Sequence, residues 1–238
     1  MDHLKIINEY LQARGSGGKM PTTGFPFITI SRQAGAGGHV TAYVVLGEMM
    51  KERHDMLFQG WHVFDREICD VVAKDPSLHA SFDELLSEGH RSSLNEFIED
   101  IFSGDTRQYR QYKRTWKIIR LLATLGKVIV VGRAAAFVTR DLPGGIHVRL
   151  IAPFEKRVKW MCRKLNVSRE QASRMIRKQD GDRKQMVKTD FSAALEDPMN
   201  YDAVWNTARV SPDEIGAMLL SLIKFRAETK PPEAASSS

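Results

Sequence analysis

The feature that most constrains the fold of this chain is a glycine-rich turn between an apolar run and a helical pattern. Residues 27–31 form a short β-branched apolar run, which predicts a strand. The turn Gly35-Ala36-Gly37-Gly38 follows, and residues 40–53 have a helical pattern. Glycine permits positive φ, so successive backbone N–H groups can point into one concavity beside the positive end of the helix. This context predicts an anion-binding loop.

The turn departs from the common phosphate-loop pattern G-x-x-x-x-G-K-[ST]. Arg32 stands at the first glycine position and Gly37 at the second. Gly38 stands at the lysine position and His39 at the hydroxyl position. The loop by itself is therefore also compatible with an ordinary tight turn between a strand and a helix.

The remaining pattern predicts an α/β fold with a central parallel sheet. Further strands are predicted at residues 127–131, 146–151 and 201–206. Helices are predicted between them, at residues 66–73, 108–125, 153–165, 168–177 and 213–226. Strands that alternate with longer helices are typical of parallel sheets with crossover helices. With 238 residues and 42% hydrophobic residues, the chain can bury a substantial core.

The chain divides into a folded body at 26–227 and two outer segments. Residues 1–25 are predicted to be an appendage, because a Gly-, Thr- and Pro-rich stretch separates their helical pattern from the body. Residues 228–238 are predicted to be a flexible tail. Between about 74 and 125 a helical insertion is predicted, in which an acidic helix (83–105) pairs with a basic one (107–120). Two solvated helix faces would explain the same charges.

Charge and composition narrow the classes of partner. Net charge is +6, from 35 Lys and Arg against 29 Asp and Glu, which suits polyanionic ligands without identifying nucleic acid as one. No apolar signal core and no run of 18 apolar residues occurs, so we expect a cytoplasmic protein without a membrane partner. The two cysteines and seven histidines lack metal-ligand spacing, so no protein-only metal site is expected.

Four segments within residues 26–226 resemble the cytidylate kinase-like family of P-loop nucleoside monophosphate kinases. The first is the strand and loop already described, and the others resemble a strand with its turn, the next strand with its Gly-Arg turn, and the last strand of that family. They are Ile28-Thr29-Ile30-Ser31-Arg32-Gln33 with the glycine turn, Trp61-His62-Val63-Phe64-Asp65-Arg66-Glu67, Val130-Val131-Gly132-Arg133, and Tyr201-Asp202-Ala203-Val204-Trp205-Asn206-Thr207.

The resemblance implies a P-loop NTPase-type three-layer fold with a helical monophosphate-binding insertion and a basic helical lid. The lid would span about 156–188, where twelve lysines and arginines occur. The implied activity is transfer of the ATP γ-phosphoryl group to a nucleoside monophosphate such as CMP or dCMP. Magnesium would be held mainly through the nucleotide. Nucleotides are then the expected partners.

The resemblance also implies roles for individual residues. The ATP phosphates would be bound by Arg32, Gly35, Ala36, Gly37, Gly38 and His39. The monophosphate would be bound by Asp65, Arg66 and Arg133. Arg133 would also act in catalysis, together with the lid residues Lys178, Asp182 and Arg183, whereas Arg157 would brace the lid.

Two positions depart from the family pattern and leave alternatives open. Asp70 stands near the place of a phosphate-binding arginine, and Gln185 stands where the lids continue with another arginine. Base specificity is therefore not inherited, and a catalytically weak or silent nucleotide-binding module is the alternative. A nucleic-acid-binding protein that uses the basic helices fits the charge but lacks an aromatic-rich basic motif.

Overall fold

The computed structural model describes residues 3–15, 25–52, 54–75, 78, 81 and 107–228, and its centre is a five-stranded parallel sheet. The strands are β1 (Phe27–Arg32), β2 (His62–Phe64), β3 (Val128–Val131), β4 (Gly145–Ile151) and β5 (Ala203–Asn206). Their order is β2-β3-β1-β4-β5, and every neighbouring pair is parallel. The predicted α/β fold with a central parallel sheet is confirmed.

Helices cover both faces of this sheet. The described helices are α1 (His3–Gly15), α2 (Gly38–Lys51), α3 (Arg66–Lys74), α4 (Arg107–Leu125), α5 (Ala135–Val138), α6 (Phe154–Leu165), α7 (Arg169–Phe191) and α8 (Pro212–Glu228). A single 3₁₀ turn, Pro198–Asn200, precedes β5. No helix among the described segments is long and apolar enough to cross a membrane.

The strands are apolar on both faces because each face packs on helices. Ile28 and Ile30 of β1 lie in a core with residues of α2 and α8, whereas Phe27 lies in a second core with α3 and α4. Alternate side chains of β3 divide in the same way, with Val128 in one core and Ile129 in the other. A parallel sheet buried on both sides selects such continuous β-branched runs.

The topology fixes where a ligand would bind. Strand β1 lies between β3 and β4, with Ile30 opposite both Val131 and Val148. The connections that follow β1 and β3 therefore leave the carboxyl edge of the sheet side by side. One leads to β2 and the other leads in the opposite direction, to β4. In open α/β sheets this switch point is the usual ligand crevice.

Helix α1 packs on the body, which differs from the expectation of an appendage. Ile7 and Tyr10 are fully buried, and the Tyr10 hydroxyl donates a hydrogen bond to the Gly126 carbonyl oxygen at 2.9 Å. The Tyr10 ring meets the Phe64 ring edge-on at 5.2 Å. Sequence composition indicates a separating segment, but it does not show whether an amphipathic helix beyond it finds an apolar surface to cover.

Helices α6 and α7 occupy the predicted lid. They share a small core that includes Val158, Met161, Ala172 and Ile176. The predicted start of α7 is present as a capping box between Ser168 and Gln171. The sequence predicted an end at residue 177, but α7 continues through Gly181 to Phe191 because ion pairs and packing outweigh the roughly 1 kcal/mol cost of a helical glycine.

The predicted insertion is described only in part. Residues 82–106 lie outside the described residues, so the acidic helix and its pairing with a basic one are not placed. Helix α4 is described, and its Trp116, Ile119 and Leu122 are buried in the core beside α3. Arg120 binds the Asp141 carboxylate through two hydrogen bonds. The second half of α4 is therefore a buried crossover helix between β2 and β3.

Candidate functional site

A cavity of about 490 Å³ lies at the carboxyl edge of the sheet. Its walls come from the segments that follow β1, β2 and β3, and from α7. The predicted site residues that line it are Arg32, His39, Asp65, Arg66, Arg133, Asp182 and Arg183. The remaining predicted residues, Gly35, Ala36, Gly37, Gly38 and Lys178, are not among its lining residues. Parallel topology thus brings residues from four distant segments around one space.

The glycine loop has the backbone geometry of an anion-binding turn. Gly35 and Gly37 have φ of 79° and 84°, in the left-handed region that side chains disfavour. The first N–H groups of α2, at Gly38, His39 and Val40, donate to no acceptor within the described segments. Unused donors at a helix N-terminus are suited to phosphate oxygens.

A carboxylate of α7, in the predicted lid, contacts this loop. The Ala34 N–H donates to Asp180 Oδ1 at 2.7 Å. Arg157 Nη1 donates to Asp180 Oδ2 at 2.7 Å and to the Ala34 carbonyl oxygen at 3.0 Å. Arg183 Nη1 donates to Asp180 Oδ1 at 3.2 Å. Asp180 therefore ties α7 to the loop and to α6.

Arg157 is buried at the centre of this tie. Its side chain is 8% exposed, and its Nε donates to the Ala152 carbonyl oxygen at 3.0 Å. A Cβ on Gly35 would lie 2.9 Å from the Arg157 carbonyl oxygen, so only glycine allows α6 to approach the loop this closely. Arg157 thus connects α6 to the loop and to Asp180 of α7. The sequence does not point to Asp180, because its partners Ala34 and Arg157 are distant from it along the chain.

The side chain of Arg32 lies against two glycines. A Cβ on Gly38 would lie 2.9 Å from Arg32 Cγ, and a Cβ on Gly132 would overlap Arg32 Nη1. The Arg32 guanidinium makes no ion pair and no hydrogen bond with the residues that the structure describes. Burial, with the nearby cations Arg183 and Arg133, lowers its pKa to about 9. At neutral pH it remains a cation that Asp65 and Asp180 attract from a distance but that forms no ion pair in the described part of the chain.

His39 lies between the loop and the segment after β2. Its Nε2 is buried without a hydrogen-bond partner among the described residues, and it lies 3.9 Å from Asp65 Oδ2. Burial and the charge of Arg32 lower the pKa of His39 below its ordinary 6.5. The imidazole is therefore mainly neutral at pH 7 and adds no fixed charge to the cavity.

Asp65 ends β2 and caps α3. Its Oδ1 accepts hydrogen bonds from the N–H groups of Glu67 and Ile68, at 3.0 and 3.1 Å. Its Oδ2 accepts no hydrogen bond from the described residues. The capping bonds hold the carboxylate at the wall of the cavity and leave one oxygen for a ligand. The neighbouring Arg66 side chain is 70% exposed.

Arg133 is paired with the carboxylate at the departing position Asp70. Arg133 Nη2 donates to Asp70 Oδ2 at 2.5 Å, and the two side chains are 11% and 18% exposed. Thr115 donates to Asp70 Oδ1 at 3.2 Å. Arg66 Nε lies 3.7 Å from the same carboxylate. The arginine predicted to bind a monophosphate thus has its charge balanced by protein.

The exposed surface of α7 carries Lys178, and it also carries Asp182 at the edge of the cavity. Lys178 and Asp182 form an exposed ion pair at 3.0 Å, with side chains 77% and 64% exposed. Gln185, at the other departing position, donates to the exposed Thr189 hydroxyl at 2.9 Å. Lys178 therefore pairs with Asp182 on the exposed surface of α7, whereas Arg183 is partly buried, with its side chain 26% exposed.

The described residues form no cluster of carboxylate, thiol or imidazole groups that could by itself hold a metal ion. Across the described ranges, no three His, Cys, Asp or Glu side chains are close enough to hold a metal ion. The Ser31 hydroxyl at the cavity wall accepts from Arg149 Nη1 at 3.1 Å. Asp65 Oδ2 is a carboxylate oxygen at the cavity wall that accepts no hydrogen bond from the described residues.

Comparison with known proteins agrees with this arrangement. A crystal structure of an uncharacterized protein from Eubacterium ventriosum is similar, with a TM-score of 0.59 and 21% identity over 84% of this chain and 99% of that one. The protein APE1195 (TM-score 0.44, 18% identity, covering 87% and 99%) and TT1252 from Thermus thermophilus (0.41, 17%, 87% and 98%) are more distant.

The likeness to the Eubacterium ventriosum protein shows the α/β fold and leaves the activity open. No curated protein matches the chain. The sequence profile of the cytidylate kinase-like family matches residues 27–209, from the first residue of β1 to just beyond β5. The matched range contains the whole sheet, the loop, the residues that line the cavity, and helices α6 and α7. The chain belongs to the cytidylate kinase-like family.

Proposed function

We propose that this protein is a phosphotransferase that moves the ATP γ-phosphoryl group to a nucleoside monophosphate such as CMP or dCMP. Membership of the cytidylate kinase-like family suggests a nucleotide kinase-like function. The observation that carries the proposal is one cavity bordered by the loop residue Arg32, by Asp65 after β2, by Arg133 after β3 and by Arg183 of the lid. Donor and acceptor would meet in that space.

The chemistry needs little from the protein beyond positioning and charge. An oxygen of the acceptor phosphate attacks the γ-phosphorus, the bond to the β–γ bridging oxygen breaks, and ADP leaves with the bond's electron pair. Charge on the transferring group is stabilised by preorganised cations and N–H donors. In this chain those groups are the free N–H groups of α2, with Arg32 and Arg183.

Magnesium would bind mainly to the ATP phosphates, where it neutralises charge and orients the β- and γ-phosphates. Asp65 Oδ2 is the protein oxygen that fits an ion in the cavity, directly or through water. The other Asp65 oxygen is committed to capping α3, so its capping bonds would keep the carboxylate oriented.

The direct test measures ADP formed from ATP and magnesium with each of a panel of nucleoside monophosphates. The proposal expects ADP in proportion to one acceptor, above the background hydrolysis of ATP. A Gly37→Val variant should lose nucleotide binding, because a β-branched residue does not tolerate φ of 84°. Gly47→Val is the matched control, since a Cβ at either glycine meets nothing within 4 Å and Gly47 is helical.

A second function, a silent nucleotide-binding module, is favoured by two contacts. The Asp180 carboxylate already accepts a hydrogen bond from the loop N–H of Ala34, and Asp70 already neutralises Arg133. Calorimetry of ATP binding, combined with the assay of ADP formation, separates the two proposals. Tight ATP binding with no acceptor-dependent ADP from any nucleotide would reject the kinase and support the silent module.

A further inference from the structure

The cations around the cavity are not equivalent. Arg157 and Arg183 share the Asp180 carboxylate, and Arg133 is paired with Asp70. The guanidinium of Arg32 has neither an ion-pair partner nor a hydrogen-bond acceptor in the described part of the chain. A largely buried charge without a partner is costly, so it persists in a fold when a ligand supplies the counter-charge.

The space around Arg32 is made by glycine on both sides. At Gly38 a Cβ would lie 2.9 Å from Cγ and 3.1 Å from Cδ of Arg32. At Gly132 a Cβ would overlap the guanidinium, and Gly132 also has φ of 85°. Any other residue at either position would displace this side chain. The path of Arg32 from the end of β1 to the end of β3 therefore depends on two separate glycines.

Gly38 is also the position at which the pattern G-x-x-x-x-G-K-[ST] has its lysine. In this chain the side chain that fills the space beside that position is Arg32, which comes from the other end of the loop. We propose that Arg32 binds the ATP phosphates in place of the missing loop lysine, and that Gly38 is required because it admits the Arg32 side chain. This inference rests on the proposed function, since it assigns the cation that the transferred group contacts.

Arginine changes the contact that the loop can make. A guanidinium presents a planar pair of N–H donors to two phosphate oxygens, whereas a lysine offers one compact charge. The Arg32 guanidinium lies against Gly132, at the start of the turn that also carries Arg133. It therefore stands between the loop and the acceptor side, where the γ-phosphoryl group would pass.

The first experiment compares the wild type with Arg32→Gln and with Arg140→Gln, an exposed arginine that does not line the cavity. Binding of ATP and of inorganic tripolyphosphate is measured by calorimetry, and thermal unfolding is measured without ligand. Loss of a charge-assisted contact should weaken binding of both ligands about 10- to 100-fold in Arg32→Gln alone. Its melting temperature without ligand should stay equal or rise, because a buried charge near Arg133 and Arg183 is removed.

The stability measurement separates a binding role from a structural one. A structural arginine would lower the melting temperature when replaced and leave the affinity of the folded fraction unchanged. Equal affinity in Arg32→Gln would overturn the inference while the proposed function stood. A wild type that binds neither ATP nor tripolyphosphate would instead reject the proposed function, and the inference with it.

The second experiment moves the charge to the other end of the loop. The double variant Arg32→Gly with Gly38→Lys restores the full G-x-x-x-x-G-K arrangement. Tripolyphosphate affinity should recover to within about tenfold of the wild type, whereas Arg32→Gly alone stays weak. Gly38→Lys alone should gain nothing, since its Cβ meets Arg32. A folded double variant as weak as Arg32→Gly would show that Arg32 does not replace the lysine.

Discussion

The two halves of the cavity balance their charges differently. The half in which we propose that ATP binds, called the donor half, comprises the lining residues Arg32 and Arg183, together with Asp180, which pairs with Arg183, and Arg157, which pairs with Asp180. The half in which we propose that the monophosphate binds, called the acceptor half, comprises the lining residues Asp65, Arg66 and Arg133, together with Asp70, which pairs with Arg133. In the donor half the Asp180 carboxylate pairs with two arginines, and Arg32 has no ion-pair partner among the described residues, although Asp65 and Asp180 attract its charge from a distance. In the acceptor half two carboxylates accompany two arginines.

This difference indicates where a highly charged ligand would gain most. A polyphosphate supplies the counter-charge that the donor half lacks, so its binding there is not opposed by a protein carboxylate on Arg32. A phosphate bound by Arg133, as proposed for the acceptor, would have to compete with Asp70. We therefore expect the donor half to bind phosphate strongly and the acceptor half to bind it weakly, with recognition depending more on other groups of the acceptor.

The largest effect should come from breaking the tie that organises the donor half. Arg157→Leu leaves the Asp180 carboxylate and the Ala34 carbonyl oxygen without their buried donor. We expect a loss of about 3 kcal/mol in the free energy of unfolding, measured by urea denaturation. The matched control is Arg169→Gln, in which an exposed ion pair with Glu155 is lost and the cost should stay below about 1 kcal/mol. Equal losses in both variants would mean that the lid is not tied to the loop through Arg157.

A smaller effect should follow when the acceptor half is made more like the donor half. Asp70→Asn frees Arg133 while the new amide oxygen can still accept from Thr115. Affinity for inorganic phosphate and for CMP should rise about fivefold, since a competing ion pair worth about 1 kcal/mol is removed. The control Asp213→Asn removes an exposed carboxylate in the first turn of α8 and should leave both affinities unchanged. Weaker binding in Asp70→Asn would show instead that Asp70 positions Arg133 for the phosphate.

The smallest expected effect is the pH dependence of stability that comes from His39, which lies between the two halves. Burial and then Arg32 lower its folded pKa below the ordinary 6.5. The unfolded chain therefore takes up this proton first as the pH falls. The contribution of neutral His39 to the free energy of unfolding is fully present above about pH 6.5, and it is lost progressively as the pH falls toward the pKa of the folded state.

Removal of the Arg32 charge gives a direct test of this coupling. In Arg32→Gln the pKa of His39 should rise, as followed by NMR titration of the imidazole proton signals. His147 is the internal control, because burial lowers its pKa and Arg32 is not among the charges that act on it. An unchanged His39 pKa, or an equal rise of the His147 pKa, would show that the charge of Arg32 does not lower the pKa of His39.

Much of the fold could be predicted from local sequence. The runs that became β1, β3, β4 and β5 are short, β-branched and bounded by turn residues, and the helices between them have clear periodicity. Strand β2 has only three residues, so it was recognised through the resemblance of residues 61–67 and not by its own pattern. The end of α7 was missed because the signal of Gly181 is local, whereas the packing of Val187 that extends the helix is tertiary.

The sequence by itself determined the family, the parallel sheet, the glycine loop and the missing loop lysine, because short contiguous segments are enough to recognise each of them. Only the tertiary structure decided how charge is distributed around the cavity. Arg133 and Asp70 are 63 residues apart, and Ala34 and Asp180 are 146 apart. Coulomb interactions depend on distance in space, so no local pattern shows which arginine is paired. The loop lacks its usual lysine in the sequence. In the folded structure the Arg32 side chain lies against Gly38 and Gly132 and places a cation beside the loop.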